Sequence, residues 1–260
     1  MAERSKEYLL HQQILIEAIE KEEFYLFYQP IYNLKQKRFE GVEGLLRILK
    51  EDGGYYSPEK IIEAARDLGV QTELTKKILE RGLVDLKELL KRFGEMTMAI
   101  NVLAQDLSDE AFLTYLEELL VKHDLSPRYL ALEITEKELI SNYEEIKPRL
   151  RKIEKMGISI EIDDFGMAHS NFRQVISIDF HLLKIDKSLI DEIIVDAKSS
   201  EIVGFLILFA RDFGMKSLAE GVETKEQVEI LEEMGCDYIQ GFYYAKPMPK
   251  GDLRKIFVNL

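Results

Sequence analysis

The residues of this chain with the chemistry to react are mostly acidic, and they fall where short apolar runs stop. Asn101, Glu133, the adjacent pair Asp163-Asp164, Lys184, Glu220 and Gln240 each close or follow such a run, and Glu43 lies inside another. Taken singly, a carboxylate at the end of a strand is ordinarily a solvated loop residue. Seven runs that all carry polar groups to one mouth describe a ring. Acidic groups crowded into a ring repel one another, and burying them uncompensated is costly, so a shared cation is the natural resolution. Asp, Glu and Asn offer hard oxygen ligands, which select Mg²⁺, Mn²⁺ or Ca²⁺ over a thiolate-held zinc or an iron–sulfur centre. Two such ions roughly 3.5–4 Å apart are a recurring device for phosphoester hydrolysis. The pair Asp163-Asp164 bears on this directly. Neighbouring strand residues face opposite ways, so both carboxylates reach one mouth only if the second already turns into the loop. There one could bridge two ions while the other holds the second.

Competing chemistries find little support. His11, His123, His169 and His181 form no His-x-His or His-x-x-x-His pair. Asp52-Gly53-Gly54-Tyr55 reads as a turn, and neither a Walker-type loop nor a Gly-x-Ser-x-Gly elbow is present. Cys236, directly after Gly235 at a helix end, reads as a packed small residue and not as a nucleophile.

The elements that must position the ring alternate. Ser5 caps an amphipathic helix carrying Leu9, Leu10, Ile14, Leu15 and Ala18, and Phe24 to Gln29 and Arg38 to Leu49 read as a hairpin joined through Asn33 and Lys35–Lys37. Ser57-Pro58-Glu59 starts a helix, and a second runs from Thr72 to Arg92. Strands follow at Met96 to Val102, Leu130 to Thr135, Ile158 to Ile162, Phe180 to Ile185, Ser217 to Ala219 and Tyr238 to Gly241. Between them lie helices ending at His123, Met156, Ile176, Phe213 and Met234, the second starting at Ser141 and interrupted by Pro148. Repeated strand–helix units imply a parallel sheet with right-handed crossovers, and about eight strands in this length imply a closed barrel of the TIM type. No linker or low-complexity tract divides residues 1–260, so one barrel domain is expected, with residues 1–22 a cover or a join to an upstream domain.

Composition excludes several classes. With 35 basic and 48 acidic residues the net charge is −13, which disfavours binding a DNA or RNA polymer through phosphate contacts. One cysteine forms no internal bridge, which fits a reducing, cytoplasmic home. No apolar run approaches the roughly 18 residues of a membrane span, and the charged segment Ser5 to Glu23 is unlike a signal peptide.

Seven motifs in order carry a resemblance. They are Tyr28-Gln29-Pro30-Ile31, Glu43-Gly44-Leu45-Leu46-Arg47, Leu132-Glu133-Ile134-Thr135-Glu136, Asp163-Asp164-Phe165-Gly166, Leu183-Lys184-Ile185-Asp186, Ala219-Glu220-Gly221-Val222-Glu223-Thr224 and Gln240-Gly241-Phe242. Through them the chain, from the Ser5 helix to Pro249, resembles the EAL-domain phosphodiesterases of bacterial cyclic di-GMP signalling. The resemblance implies an α/β fold, a modified TIM (β/α)8 barrel whose first strand runs antiparallel, in keeping with the opening hairpin. It implies hydrolysis of cyclic di-GMP to linear 5′-pGpG with two divalent cations, Mg²⁺ or Mn²⁺.

By motif position Glu43, Asn101, Glu133 and Asp163 correspond to ligands of a first ion, and Asp163, Asp164 and Glu220 to ligands of a second. Glu220 is also the candidate general base, and Lys184 would stand beside the attacking water and the scissile phosphate, supported by Asp186. Gln29, Arg47, Asp186 and Gln240 correspond to substrate contacts, and Glu136 and Glu223 to supports of the loop after the aspartate pair. A homodimer and an upstream sensor or cyclase domain are further implications.

Two departures from the family pattern stand out. The signature triplet Glu-Ala-Leu reads Glu43-Gly44-Leu45 here, which spares the ligand. The loop that runs Asp-Asp-Phe-Gly-Thr/Ala-Gly-Tyr-Ser-Ser-Leu in the family continues here as Met167-Ala168-His169-Ser170-Asn171-Phe172, without the second glycine and the tyrosine. Degeneracy at Met167–Asn171 sets up the alternative reading, a catalytically weak or inactive domain acting as a cyclic di-GMP receptor or protein-interaction module. Hydrolysis of some other phosphoester is the third reading, and Gln29, Arg47 and Gln240 argue against it.

Overall fold

Strands and helices alternate along the chain because apolar period-two runs and amphipathic stretches do, and the strands close on themselves. The computed structural model describes residues 2–166 and 172–257, so the loop Met167–Asn171 lies outside the described residues. The strands are β1 (Tyr25–Asn33), β2 (Arg38–Arg47), β3 (Thr97–Asn101), β4 (Leu130–Thr135), β5 (Ser159–Phe165), β6 (Leu182–Ile185), β7 (Lys216–Ala219) and β8 (Tyr238–Ile239). Neighbours from β2 to β8 pair in parallel, and β1 closes the barrel by pairing antiparallel with both β2 and β8. The expected antiparallel first strand is therefore present. A short ninth strand, Met248–Pro249, adds to β1 at Phe27–Tyr28.

β1 runs through Pro30 to Asn33, past the expected end at Gln29. Its outer edge is paired at Phe27–Tyr28 and at Tyr32–Asn33 but not at Gln29–Ile31. An open stretch of edge is where a residue without an N–H is tolerated.

Helices cover the outside: α1 (Ala2–Lys21), α2 (Pro58–Leu68), α3 (Gln71–Phe93), α4 (Ala104–Ser108), α5 (Glu110–His123), α6 (Glu136–Lys155), α7 (Phe172–Val175), α8 (Lys187–Glu192), α9 (Ala197–Asp212) and α10 (Lys225–Met234). α1 starts at Ala2, ahead of Ser5, and packs Leu15 and Ala18 on Ile61, Ala64 and Ala65 of α2. α6 begins at Glu136, five residues before the expected start. Thr135 at the end of β4 caps it by accepting from the Glu138 N–H at 3.3 Å, so strand passes into helix without a loop. The irregularity expected near Pro148 appears at Asn142, whose φ of −125° is not helical and whose Nδ2 donates to the Glu138 carbonyl at 2.9 Å. A side-chain bond to the backbone thus accompanies the kink.

The barrel interior has two layers set by strand alternation. Leu182 and Leu218, with Ile31, form a small apolar cluster separate from the main core between barrel and helices. Two residues beyond them on the same face stand Lys184 and, just past β7, Glu220. By the same parity Glu43, Asn101, Glu133 and Asp163 lie above Gly41, Ala99, Ala131 and Glu161. The upper interior layer is thus polar and the lower one small or apolar except for Glu161.

Candidate active site

Lys184 is the centre of the upper layer. Its side chain is 1% exposed, and its Nζ lies 2.9 Å from Glu220 Oε1, 3.0 Å from Glu133 Oε1, 3.0 Å from Asp163 Oδ1 and 3.5 Å from Glu43 Oε2. β6 must deliver it, because Leu183 and Ile185 on either side face the outer core and leave Lys184 only the inside. Burial alone would push its ammonium down, yet Asp163, Glu133, Glu220 and Glu43 together hold it well above the ordinary lysine range. Despite the short distances, Lys184 Nζ, Glu133 Oε1 and Asp163 Oδ1 have no aligned hydrogen bond. The cluster is a charge arrangement more than a hydrogen-bonded one.

Amides brace the carboxylates from the sides. Asn101 Nδ2 donates to Glu43 Oε1 at 3.0 Å and to Glu133 Oε2 at 3.1 Å. Gln240 Nε2 donates to Glu43 Oε2 at 2.7 Å and to Gln29 Oε1 at 3.2 Å, and Gln29 Nε2 donates to the Ala245 carbonyl at 3.3 Å. Gln240 reaches its place because the backbone at Gly241 crosses directly over Val222. A Cβ at Gly241 would sit 2.1 Å from the Val222 carbonyl oxygen, so only glycine fits.

Asp163 and Asp164 both reach the mouth. The β5–β6 register slips between Ile162 and Phe165, and Asp164 takes a φ of 54°, left-handed and uncommon for a residue with a Cβ. This bulge reverses the direction Asp164 would otherwise face. As a result Asp163, Asp164 and Glu220 present carboxylate oxygens within 4.8 Å of one another.

Four carboxylates, those of Glu43, Glu133, Asp163 and Glu220, thus lie within 3.5 Å of one ammonium, with Asp164 beside them at the rim and Glu161 one layer below. Their proton affinities record the crowding. Burial, with Glu43 next to it, raises Glu133 well above the carboxylate range. Burial pushes Glu220 up to about 8 and Glu161 to about 7, and burial with the charges of Asp163 and Asp186 takes Asp164 to about 6. Glu43 goes the other way: Lys184 and the Gln240 and Asn101 amides outweigh its burial and lower it.

A stability consequence follows from these directions. Glu220, Glu161 and Asp164 bind protons more tightly folded than unfolded, so their cost is absent below the ordinary values of 4.5, 4.5 and 3.8 and grows as pH rises to about 8, 7 and 6. Glu43 titrates below that window and Lys184 above it. Protein held in a chelator should lose thermal stability between pH 5 and pH 8, by calorimetry, and regain it at pH 8 on adding Mn²⁺. A melting temperature that climbs over that interval in the chelator contradicts the crowding.

Not every expected site residue joins the cluster. Asp186 is not among the carboxylates around Lys184, because β6 ends at Ile185 and Asp186 turns to cap α8, accepting from the Ser188 N–H at 2.8 Å. Arg47 closes β2 on the same face as Glu43, where its Nη1 donates to the Leu46 carbonyl at 2.8 Å and its guanidinium lies 5.8 Å from the Phe27 ring centre. Glu136 is buried and accepts from the Gly166 N–H at 3.1 Å, which pins the backbone just past the aspartate pair. Gly166 has a φ of +104°, open to glycine alone. Glu223 lies apart from that contact and accepts from Lys187 Nζ at 3.0 Å.

Glu161 is the interior carboxylate that motif reading passes over. Its signal was available, since it stands two residues before Asp163 and so shares its face. Cys236 is buried with its thiol pushed up to about 11 by that burial, in keeping with a packing role.

The site fits divalent cations on its own chemistry: oxygen donors only, a three-carboxylate group at the rim, and buried carboxylate oxygens without hydrogen bonds. Comparisons with known proteins agree with this geometry. The chain is 32% identical over 251 residues to the signaling protein YkoW of Bacillus subtilis (strain 168), covering 96% of this chain and 31% of that protein. It is 31% identical over 238 residues to the probable cyclic di-GMP phosphodiesterase PdeB of Escherichia coli (strain K12), covering 92% of this chain and 45% of PdeB. The chain therefore spans less than half the length of these curated relatives. Among solved structures, the PaMucR phosphodiesterase in complex with c-di-GMP superposes with a TM-score of 0.89 at 28% identity, covering 94% of this chain and 99% of that one. The EAL enzyme Bd1971 in its cAMP- and cyclic-di-GMP-bound form gives 0.90 at 30% identity, over 98% and 70% of the two chains. Residues 12–247, the span that holds all the clustered carboxylates and their lysine, match the EAL domain, and the chain belongs to that family.

Proposed function

We propose that this domain hydrolyses one phosphodiester of cyclic di-GMP to linear 5′-pGpG, using two divalent cations, Mg²⁺ or Mn²⁺. The observation that carries the reading is four carboxylates within 3.5 Å of one buried lysine, with Asp164 joining Asp163 and Glu220 at the rim, a charge balance that calls for further cations. The names of PdeB and of the PaMucR complex support the choice of substrate. Glu43, Asn101, Glu133 and Asp163 would hold one ion, and Asp163, Asp164 and Glu220 the other. Bound there, the ions would polarise the phosphoryl oxygens and acidify water.

The chain's own groups do the rest. Glu220, raised to about 8 by burial, retains affinity for a proton and is suited to take one from the attacking water. Lys184 presents fixed positive charge where negative charge grows in the transition state, and needs no reorganisation because its carboxylates hold it in place. Gln29, Arg47, Asp186 and Gln240 form the nucleotide-contacting rim. Glu136 and Glu223 support the loop that follows the aspartates. Replacing Glu136 by Ala removes the acceptor for the Gly166 N–H, and we expect about 10–100-fold weaker Mn²⁺ activation, the usual scale for a group that orients a ligand. Unchanged Mn²⁺ dependence in a folded Glu136→Ala protein contradicts this role.

Partners follow the same reading. Phe205, Phe213, Ile202 and Leu208 expose apolar surface on and after α9, next to α7, and a second copy of the chain would cover it as a homodimer. An upstream sensor or cyclase domain joined through α1 belongs to the same proposal, YkoW and PdeB each being more than twice the length they share with this chain. Among the described residues no helix is long and apolar enough to cross a membrane, and the single buried thiol suits a cytoplasmic setting.

The test is product formation: purified protein, cyclic di-GMP, Mg²⁺ or Mn²⁺ against a chelator control, with 5′-pGpG followed by chromatography and nucleotide binding measured in parallel. Metal-dependent product supports the enzyme. The departure of Met167–Asn171 from the family pattern favours a second reading, the quiet receptor or interaction module. Binding without product would select it.

A further inference from the structure

A cleft of about 640 Å³ opens between α2 and the ends of β4, β5 and β6, within the size range of small-ligand pockets. Asp164 and Asp186 line it on the barrel side, so it is continuous with the rim of the catalytic cluster. Glu59, Glu63 and Arg66 line it from α2. An anionic dinucleotide entering this cleft meets carboxylates on both walls. It needs a cation there, and Arg66 stands opposite the aspartates.

Arg66 is held in a way that leaves it available. Its Nη2 lies 2.5 Å from Glu138 Oε1, with the two side chains 46% and 19% exposed. Glu138 is anchored independently, because its other oxygen accepts from the Ala104 N–H at 3.0 Å. The carboxylate is thus fixed to the backbone, while the guanidinium is the long, solvated partner of a weak exposed ion pair. One fork of a guanidinium can stay on Glu138 while its remaining donors take up phosphate oxygens.

We propose that Arg66 binds the non-scissile phosphodiester of the cyclic dinucleotide. The inference rests on the proposed function and deepens it. The scissile group belongs with Lys184 and Glu220, which do not line this cleft, and Arg66 enters it from α2, a different element from those that carry Asp164 and Asp186. Lys137, the other cation on this cleft, is exposed as Arg66 is, but lacks the forked donors that let Arg66 keep Glu138 while taking up a phosphate. Arg66 is therefore a substrate-contacting residue that fixes the far end of the ligand and takes no part in proton transfer.

The test uses the full chain with Mn²⁺, reading kcat and KM for cyclic di-GMP and, by calorimetry, its binding. Arg66→Ala should raise KM about tenfold, the scale of one lost charge-assisted contact, with kcat falling less than KM rises. That variant also frees the Glu138 charge, so the double variant Arg66→Ala/Glu138→Gln separates the effects. A KM that stays high in the double variant supports direct contact, whereas recovery to the wild-type KM overturns it. Arg66→Lys distinguishes the group bound: a point charge still serves a phosphate and should keep KM within about threefold of wild type. Failure of lysine to rescue would shift the contact to a guanine edge and overturn the phosphate assignment. Wild-type protein that neither binds nor cleaves cyclic di-GMP sinks the functional reading and this one together. An active wild type with unchanged KM in Arg66→Ala sinks this one alone.

Discussion

Glu220→Ala should lower kcat for cyclic di-GMP by about 10³-fold or more, since a general base alone contributes roughly 10²–10⁴-fold. The variant removes the group raised to about 8 by burial and also one of the three rim carboxylates around a candidate ion. The fold should survive and even gain. A carboxylate whose proton affinity rises on folding costs stability once ionised, so at pH 8 and without divalent ion the Ala variant should melt above wild type. Glu220→Gln tests the same point at nearly constant volume. The acid limb of the wild-type pH–rate profile should disappear in whatever residual activity is left. Near wild-type kcat in either variant would remove Glu220 from the role of base, and a lower melting temperature at pH 8 would reverse the sign of its contribution.

Lys184→Met should abolish most turnover, by about 10²–10³-fold, the range for loss of one preorganised transition-state donor. It should also have the largest stability effect at the site. The ammonium is the common partner of Glu43, Glu133, Asp163 and Glu220, and removing one side of a buried charge arrangement costs about 3–5 kcal/mol. The outcome divides by condition. In a chelator the melting temperature should drop by several degrees, more at pH 8 than at pH 5, because the remaining carboxylates ionise without compensation. Saturating Mn²⁺ should recover most of the drop but none of the turnover. A variant equally stable with and without ion would mean that Lys184 does not compensate these carboxylates, and restored turnover would remove its catalytic role.

The sequence was a good guide wherever the determining interactions are local. The sequence marked Lys184 as a polar residue at the end of an apolar run, and the structure places it inside the barrel because Leu183 and Ile185 face the outer core. The motif pattern identified the residues of the ring, and the opening hairpin matched an antiparallel β1. The same local logic erred where a neighbour changes the rule. β1 passes Pro30 because part of its edge is open, and α6 starts at Glu136 because Thr135 both ends β4 and caps the helix. Asp186, two residues after Lys184, leaves its company because β6 stops between them. Glu161 lay within reach of parity but outside any motif, and the Arg66–Glu138 pair, 72 positions apart, carried no sequence signal at all.

What the sequence by itself determined is an inventory: which strands exist, which faces their residues take, and that acidic groups end so many of them. Only the tertiary structure decided that four of these carboxylates share one lysine, that a register slip at Ile162/Phe165 turns Asp164 towards Asp163 and Glu220, and that α2 faces the cluster across a cleft. The physical reason is the range of the interactions. Alternation and capping act over a few residues, whereas convergence depends on barrel closure and strand register, and the proton affinities depend on burial that exists only once β1 has closed on β2 and β8.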